Sequence, residues 1–344
     1  MELGTRKAKV LEAIVNSYIV TGEPVSSKSL CDNLKVSSST VRNDMAELTQ
    51  LGLLEQIHAS SGRVPSHAGY RLYIDQLMSQ GASRLTIESK EELSRPLFSC
   101  KINDPEDLLR GALDVVAEYT KCAAVSAVPS KSCSGVRAIR LIIVGHRSIM
   151  VVLVASAGVI RNKIVLCDCC FNQEELVAFQ RILQDNLEGL EVRRVPSVLA
   201  EAFDENFAEV SPVLCEIVEA VIDLSDEISG AEVDLTGESN LFFYPDFDLD
   251  SVSGVIDFLN SPDQVLSFLK ENQDDDVSVL VGEESKLCEF GRFSVIISKY
   301  DFSRQDTGFI AIVGPTRMDY AKIIPSMKYL SSLISKFLNE NFGL

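Results

Sequence analysis

The sequence predicts an α+β protein in which a winged helix-turn-helix comes first and a mixed domain with a helical insertion follows. Three observations support this class. Apolar residues recur at helical spacing through the first 80 residues, and a short hairpin pattern lies among them. Two strand-rich stretches, 137–167 and 277–313, flank a mainly helical stretch, as expected when helices are inserted into a sheet domain. A long amphipathic helix follows the last strand.

The first two helices are predicted from apolar spacing and capping residues. The first has apolar residues at i, i+3, i+4 and i+7, namely Leu11, Ile14, Val15 and Tyr18. Gly22 ends it, because glycine adopts the left-handed conformation of a helix C-cap at little cost. A second helix is predicted after Pro24, with Ser26 as its N-cap, and extends to about Leu34.

The third helix is the predicted DNA-recognition element. Ser37 is its N-cap, and Val41, Met45 and Leu48 form its buried face. This leaves five polar side chains on or near its exposed N-terminal end: Ser38, Ser39, Thr40, Arg42 and Asn43. In a helix-turn-helix that end enters the major groove, where these side chains can contact base edges or phosphates.

A hairpin pattern directly after the third helix predicts the wing. Gly52 closes the helix, residues 54–58 form one strand, and residues 63–65 return after a turn. This arrangement places Arg63 and His58 beside the adjacent DNA backbone or minor groove, where a cation is favoured. A fourth amphipathic helix is marked by Tyr70, Tyr73, Ile74 and Leu77. The same pattern is compatible with a protein-interaction module, in which Arg42 is only a surface residue.

Charge is distributed unevenly along the chain. The 344 residues carry a net charge of −18, yet residues 1–80 contain eight Lys and Arg and eight Asp and Glu. Phosphate binding relies on Lys and Arg, so a neutral module attached to an acidic remainder is expected to bind DNA only through its helix and wing. The alternative is that the acidic surface only keeps the protein soluble.

The sequence lacks the motifs of the common enzyme classes. It has three histidines and no G-x-S-x-G elbow, P-loop, H-E-x-x-H or dinucleotide fingerprint. Its nine cysteines are an odd number spread along the chain, which favours reduced thiols over a disulfide framework. The cluster 167–170 contains one C-x-x-C spacing, with no second pair and no nearby histidine. We therefore expect no catalytic residue, no metal site and no cofactor.

Neither a membrane span nor a secretory signal is predicted. The longest uncharged apolar stretch, 148–160, is shorter than the roughly 18 residues that suggest a spanning helix. The first ten residues contain no apolar core of a signal peptide. We expect a cytoplasmic protein that makes no membrane contact.

The rest of the chain is predicted as a linker followed by strands and helices. Residues 81–104 are polar and are predicted as a linker that includes a helical piece. Helices are predicted at 105–119, 251–259 and 262–270, and residues 172 to about 227 are predicted to be mainly helical. Strands are predicted at 137–144, 149–155, 159–167, 277–281, 293–298 and 308–313. After the last strand, Arg317 either binds an anion at the helix N-terminus or, with Asp319, holds the junction together by pairing or capping.

Four segments of the sequence resemble the HrcA family of heat-inducible transcription repressors. They are TGEPVSSKSL at 21–30, SSSTVRNDMAELTQLGLLEQ at 37–56, HASSGRVPSHAGYRLYIDQLM at 58–78 and GFIAIVGPTRMDYAKIIPSMKYLS at 308–331. They lie towards both ends of the chain, so the resemblance covers almost its whole length. Two departures, Ser26-Ser27 and Ser66-His67, replace residues that the family more often has there, and neither removes a predicted DNA contact.

The resemblance implies three domains and a function. It implies a winged-helix DNA-binding domain, placed at 1–80, and a GAF-like α/β domain, placed at 105–169 and 241–344. A dimerising domain inserted into the latter is placed at 170–240. The implied function is repression of chaperone operons by a homodimer that binds double-stranded DNA at the inverted repeat called CIRCE. The implied regulator is the chaperonin, which maintains the active form.

A rival hypothesis from another class is a ligand-responsive regulator that senses a small molecule in the GAF-like domain. A metabolite that raises the thermal stability of the protein would support this hypothesis. A pocket filled by the protein's own side chains would count against it.

Overall fold

The structure is a computed structural model that describes residues 3–57, 62–79, 85–99, 105–128, 135–156, 159–167, 172–203, 212–230, 232–287, 290–302 and 307–342. The chain forms two compact units. It leaves the first unit after Val128 and re-enters it at Val233, and the residues between these positions form the second unit.

The first unit begins with a winged-helix module. Its elements are α1 (Thr5–Thr21), α2 (Cys31–Leu34), α3 (Ser38–Gln50), β1 (Leu54–Glu55), β2 (Val64–Pro65) and α4 (His67–Ser79). As predicted, Gly22 ends α1 in the left-handed conformation, with φ of 67°. Helix α2 begins later than predicted, because the Ser26 hydroxyl accepts a hydrogen bond from the Ser29 amide and the residues before Cys31 form turns.

The remaining elements follow in chain order. They are α5 (Ile87–Ser99), α6 (Pro105–Thr120), β3 (Ala123–Val128), β4 (Val136–Gly145), β5 (Ser148–Ala155), β6 (Ile160–Leu166), α7 (Gln173–Leu187), α8 (Val195–Ala202), α9 (Pro212–Ser229), β7 (Glu232–Thr236), α10 (Leu249–Leu259), α11 (Pro262–Glu271), β8 (Val277–Val281), β9 (Phe293–Asp301), β10 (Thr307–Pro315) and α12 (Tyr320–Phe342). Short 3₁₀ helices cover Val192–Arg194, Glu238–Phe243 and Gly282–Ser285.

A five-stranded sheet forms the centre of the first unit, with strand order β7-β3-β10-β9-β8. Strand β10 pairs antiparallel with both β3 and β9, so that Ile312 lies opposite Ala124 on one side and Ile296 on the other. One face of the sheet packs on α6 and α12, and the other packs on α10 and α11. We call this sheet with α5, α6 and α10–α12 the sheet domain. Its strands are near-continuous apolar runs because helices cover both faces.

The helical piece predicted within the linker 81–104 is α5, Ile87–Ser99. This helix packs on α6 and α12, and it buries Leu93 and Leu97. It is therefore part of the sheet domain and not a free connection. The spacing of these two leucines, i and i+4, is the apolar repeat that identifies the buried side of the helix.

Strands β3 and β7 are neighbours, and they border the point where the chain leaves the sheet domain. A Cβ atom added to Gly237, directly after β7, would lie 2.8 Å from the carbonyl oxygen of Cys122, directly before β3. The end of β7 therefore lies beside the start of β3, and the two strands run antiparallel. It follows that the chain leaves the sheet and returns to it at the same end.

The second unit has its own sheet and its own core. Strands β4, β5 and β6 form an antiparallel sheet, and its inner face buries Ile149, Val151 and Leu153 against α7 and α9. The sequence placed these strands in the GAF-like domain, with the insertion starting at residue 170. The structure differs, because the alternating apolar side chains of β5 complete the core of the inserted helices instead.

The opposite face of this small sheet is apolar and accessible. We define this outer face by six of the apolar residues that point away from α7 and α9: Ile142, Met150, Val154, Ile160, Ile164 and Leu166. Met150 lies between Ile142 and Ile164 across the three strands, and Leu166 is 76% exposed. Arg140 and Asn162 flank Val152 on the same face, so apolar and polar side chains share it, and its exposed apolar residues mark a candidate contact surface.

The part of the chain that the structure describes contains no helix that is both long enough and apolar enough to cross a bilayer.

Candidate nucleic-acid interface

The N-terminus of α3 is held by a network of hydroxyl groups. The Ser37 hydroxyl accepts a hydrogen bond from the Thr40 amide at 3.2 Å, which confirms Ser37 as the N-cap. The same oxygen lies 2.8 Å from the hydroxyls of Ser39 and Thr40. The Ser38 hydroxyl bonds to that of Ser27, near the start of α2, at 3.1 Å. Three of the predicted contact residues therefore also fix the end of the helix that they are predicted to present.

Arg42 and Asn43 are the exposed polar residues of the first turns whose side chains are not used in this network. Both are exposed, and neither has an ion pair or hydrogen-bond partner for its side chain among the residues that the structure describes. Ser39 lies one turn before Asn43 on the same face, and Ala46 and Gln50 continue that face. We call these five residues, Ser39, Arg42, Asn43, Ala46 and Gln50, the recognition stripe.

The two acidic residues of α3 are both paired with basic residues of α1. Arg6 donates to Asp44 through two parallel bonds, from Nε at 2.8 Å and from Nη2 at 2.9 Å, and Lys7 pairs with Glu47. The Asp44 side chain is 1% exposed, whereas that of Arg6 is 61% exposed. Its hydrogen bond to Asp44 raises the pKa of Arg6. The recognition helix therefore presents no unpaired carboxylate that would repel phosphate.

The wing is attached to the segment between α1 and α2 by a second, isolated β-bridge. Val25 and Arg63 exchange two backbone hydrogen bonds of 2.9 Å, beside the paired strands β1 and β2. A Cβ atom at Gly62 would lie 2.3 Å from the Val25 carbonyl oxygen, so only glycine fits there. The predicted strand 54–58 is shorter in the structure, since β1 ends at Glu55.

The side chain of Arg63 lies against the far end of α3. Its Nε donates to the Thr49 hydroxyl at 3.1 Å, and Thr49 donates in turn to the Met45 carbonyl. A cation is favoured near the C-terminus of a helix, where the carbonyl ends are partly negative. Arg63 thus links the wing to the recognition helix. A guanidinium has five N–H donors, so this link leaves donors for a phosphate.

His58 and the turn residues 59–61 lie outside the described residues, so the position predicted for His58 beside the minor groove stays a prediction. Among the residues that the structure describes, no group of three or more His, Cys, Asp or Glu side chains could hold a metal ion.

Comparison with protein families agrees with this geometry. Residues 11–71 match the model described as "HTH domain", and residues 106–324 match the model described as "HrcA protein C terminal domain". The second match covers more than half of the chain. The chain belongs to the HrcA family of heat-inducible transcription repressors. It is accordingly a repressor with a helix-turn-helix DNA-binding domain and not an enzyme.

Individual HrcA relatives match along almost their whole length. The heat-inducible transcription repressor HrcA of Clostridium acetobutylicum is 32% identical over 343 residues, covering 99% of each chain. The protein of the same name in Clostridium botulinum (strain Eklund 17B) is 31% identical over 350 residues, again with 99% of each chain covered. A crystallised hypothetical protein matches 98% of this chain and 99% of its own with a TM-score of 0.67 and 22% identity, which shows a shared fold alone.

Several residues of this HrcA interface could not be found from local sequence patterns. Arg6 and Lys7 act on acids that are about forty positions away, and no short-range spacing signals that pairing. Lys28 and Lys35 are exposed in the helix-turn-helix, and Lys35 has the left-handed φ of 53° in the turn before α3. The sequence places Lys35 in the turn before the recognition helix, and the structure adds that both lysines are exposed.

Proposed function

We propose that this HrcA protein represses chaperone operons by binding an inverted repeat of the CIRCE type as a homodimer. The observation that carries this proposal is the recognition stripe, an exposed polar face on a helix whose carboxylates are all neutralised from α1. A surface of this kind accepts the negative major groove without acidic side chains opposing it.

Within this proposal the predicted residues have separate roles. Arg42 and Asn43 read base edges, because guanidinium and amide groups form the bidentate contacts that distinguish guanine and adenine. Ser38, Ser39 and Thr40 position the helix N-terminus against phosphates, where backbone amides also favour an anion. Arg63 and His58 contact the backbone beside the groove that α3 occupies.

The homodimer is supported by the outer face of the second unit. Its six apolar side chains come from three neighbouring strands, and Ile164 and Leu166 are more than half exposed. A second copy of the chain is the occupant that we propose, since an inverted repeat requires two recognition helices related by a twofold axis. Self-association through this face buries the same patch on both subunits.

The proposed regulator is the chaperonin, whose availability maintains the DNA-binding form. This part rests on the resemblance of the quoted segments to the family. Operator binding by protein diluted from denaturant should therefore increase several-fold when chaperonin and ATP are present during refolding. Equal recovery of binding without chaperonin would contradict this part and leave the operator and dimer proposals intact.

The small-molecule sensor is less well supported. Between the sheet and helices α10 and α11, the space is filled by the packed rings of Phe258, Phe268, Phe290 and Phe293. A groove of about 730 Å³ lies on the other side, lined by Met78, Lys90, Lys328 and Tyr329 among others. It is open at the surface, and Lys328 lies 3.5 Å from the Asp276 carboxylate. The filled interior counts against a ligand site of the enclosed kind.

The proposal is tested by comparing the intact protein on a single half-site and on the full inverted repeat, with its mass measured in solution. A dimer should bind the full repeat at least about 100-fold more tightly, because the second contact is made at high effective concentration. A monomeric mass together with equal affinity for both duplexes would overturn the homodimer. Failure to prefer any duplex sequence would overturn operator recognition itself.

A further inference from the structure

The junction between β10 and α12 contacts the winged-helix module through one arginine. Nε of Arg317 lies 2.8 and 3.0 Å from the two carboxylate oxygens of Asp246, and Nη1 lies 3.5 Å from the carbonyl oxygen of Ile19 in the last turn of α1. Both charged side chains are largely buried, at 15% and 26% exposure. The hydrogen bond to Asp246 raises the pKa of Arg317. Arg317 is therefore paired with Asp246, while the carboxylate of Asp319, the residue predicted to hold the junction with it, accepts from the Lys322 amide at 3.1 Å.

Helix α1 lacks a cation of its own where Arg317 reaches it. This helix of 17 residues has no basic residue in its last turn, and its terminal carbonyls carry a partial negative charge. The Tyr18 carbonyl accepts from the Gly22 amide, and the Ile19 carbonyl faces Arg317. A Cβ atom at Gly22 would lie 3.5 Å from Cζ of Arg317, which is ordinary van der Waals contact. The C-terminus of α1 is therefore in contact with the guanidinium of Arg317, which belongs to the sheet domain.

A second polar contact joins α4 to the sheet domain. Nη1 of Arg71 donates to the Val279 carbonyl at 2.8 Å and to the Glu284 carboxylate at 3.1 Å. Glu284 also accepts from the Val281 amide, which holds the carboxylate in place. Gly282 lies so close to His67 that an added Cβ atom would be 2.2 Å from the imidazole. The start of α4 is thus fitted to β8 and the 3₁₀ helix after it.

An aromatic pair lies between the two modules. The rings of Tyr70 in α4 and Tyr320 in α12 have centroids 6.0 Å apart at an angle of 58°. The Tyr320 hydroxyl donates to the Thr316 carbonyl and shares a hydrogen bond with Ser294. The Tyr70 hydroxyl is buried and has no hydrogen-bond partner among the described residues. Packing, and not a polar network, therefore makes the centre of this contact, and the polar contacts are at α1 and at α4.

We propose that Arg317, held by Asp246, is a positioning residue that sets the orientation of the winged-helix module on the sheet domain. It thereby sets the half-site spacing that the dimer accepts. The inference rests on the proposed homodimer. The contact of Arg317 with α1 and the contacts of Arg71 in α4 hold the module at two points. The module cannot rotate about either point, so α3 keeps a fixed angle to the sheet domain. Each base pair added between half-sites rotates the second one by roughly 34°, which a rigid module cannot follow.

The test compares wild-type protein, Arg317→Ala and Asp246→Asn on a series of duplexes. The probe is the inverted repeat that the wild-type protein enriches from random duplexes, with its spacer shortened or lengthened by one and two base pairs. A single half-site is measured alongside. The matched control is Arg292→Ala, which removes an exposed ion pair with Asp248, two residues from Asp246, and does not touch the winged-helix module.

Arg317→Ala and Asp246→Asn should bind the single half-site with wild-type affinity. Their affinity for the optimal repeat should fall at least about tenfold, and it should vary less with spacer length than that of the wild type. Hydrogen exchange should become faster in the last turn of α1, and Arg292→Ala should leave all these values unchanged. An unchanged spacer dependence in Arg317→Ala would overturn the inference. A parallel loss on the half-site would also overturn it, because Arg317 would then support the module's own fold. Wild-type protein without spacer preference would instead overturn the homodimer.

Discussion

Arg6 and Lys7 determine what the recognition helix presents, although neither belongs to it. Without them, Asp44 and Glu47 would add two uncompensated negative charges to α3. Asp44 is buried, whereas Glu47 is half-exposed and lies one turn after Asn43, beside the recognition stripe, where Lys7 neutralises it. Asp44 and Glu47 therefore bind α1, and the recognition stripe of the same helix is left for DNA.

The two partners of the Arg6–Asp44 pair should tolerate removal very differently. Arg6→Ala leaves a carboxylate that is 1% exposed without its partner, which costs about 3 kcal/mol or more of unfolding free energy. Asp44→Asn leaves an arginine that water can solvate, so its loss of unfolding free energy should be much smaller. Urea denaturation of both variants measures this asymmetry. Equal losses would show that Asp44 is more accessible to water than its position indicates.

Arg42→Ala and Asn43→Ala should leave unfolding unchanged and weaken operator binding. If Arg42 reads a base, its loss costs about 1–3 kcal/mol and relaxes discrimination at one operator position. If it contacts a phosphate, affinity falls about equally on all sequences and the dependence on salt becomes shallower. Titrations of operator variants at two salt concentrations separate these outcomes. Unchanged affinity in both variants would show that the recognition stripe is not the DNA-contacting surface.

Among the elements, the wing depends on one close approach between backbones. Gly62→Ala places a methyl group 2.3 Å from the Val25 carbonyl oxygen and must separate the two strands that Val25 and Arg63 form. We expect a loss of about 1–3 kcal/mol in stability together with weaker operator binding, because Arg63 moves with the backbone.

The control for this variant is Gly52→Ala, at the other end of the same hairpin. Gly52 has φ of 73° but no neighbouring atom within 4 Å of an added Cβ. Gly52→Ala should lower the free energy of unfolding by about 1 kcal/mol through backbone strain, and the operator affinity should stay the same. Thermal unfolding and DNA titration of the pair check both expectations. Equal effects on DNA binding would show that the hairpin does not position Arg63.

Helix boundaries were predictable where one segment contains all of the information. The spacing of Leu11, Ile14 and Val15 predicts the buried face of α1, and Gly22 predicts its end, because both depend on neighbours in the sequence. The helices that cover the buried face of β4–β6 were not predictable, since an apolar alternation shows that a strand has a buried face but not what covers it. For the same reason, the site residues on α3 could be named from the sequence, whereas their support from Arg6 could not.

For the whole molecule, the outer face of the second unit predicts how assembly can be broken. Ile164→Lys places a charge on this face, beside Met150 of the central strand, and we expect a folded monomer, because the inner core of the unit is not touched. Affinity for the full inverted repeat should fall by about 100-fold or more while half-site binding is retained.

Ile182→Lys is the control for that variant. Ile182 is an exposed isoleucine of α7 in the same unit and is 48% exposed, but it lies outside the outer face. It should remain dimeric by light scattering and bind the repeat as wild type does. A dimer that survives Ile164→Lys and dissociates with Ile182→Lys would place the interface on the helical side.

Because β3 and β7 are antiparallel neighbours, the second unit is inserted into the sheet domain like a long hairpin loop. Its two attachment points lie at one end of neighbouring strands, about 5 Å apart, which is the reach of an ordinary hairpin loop. Recombination at these points can lengthen, shorten or replace the inserted unit without changing the strand order of the sheet. A lineage could in this way change how two copies meet, and hence which operators they recognise, while the reading helix and the domain that holds it stay the same.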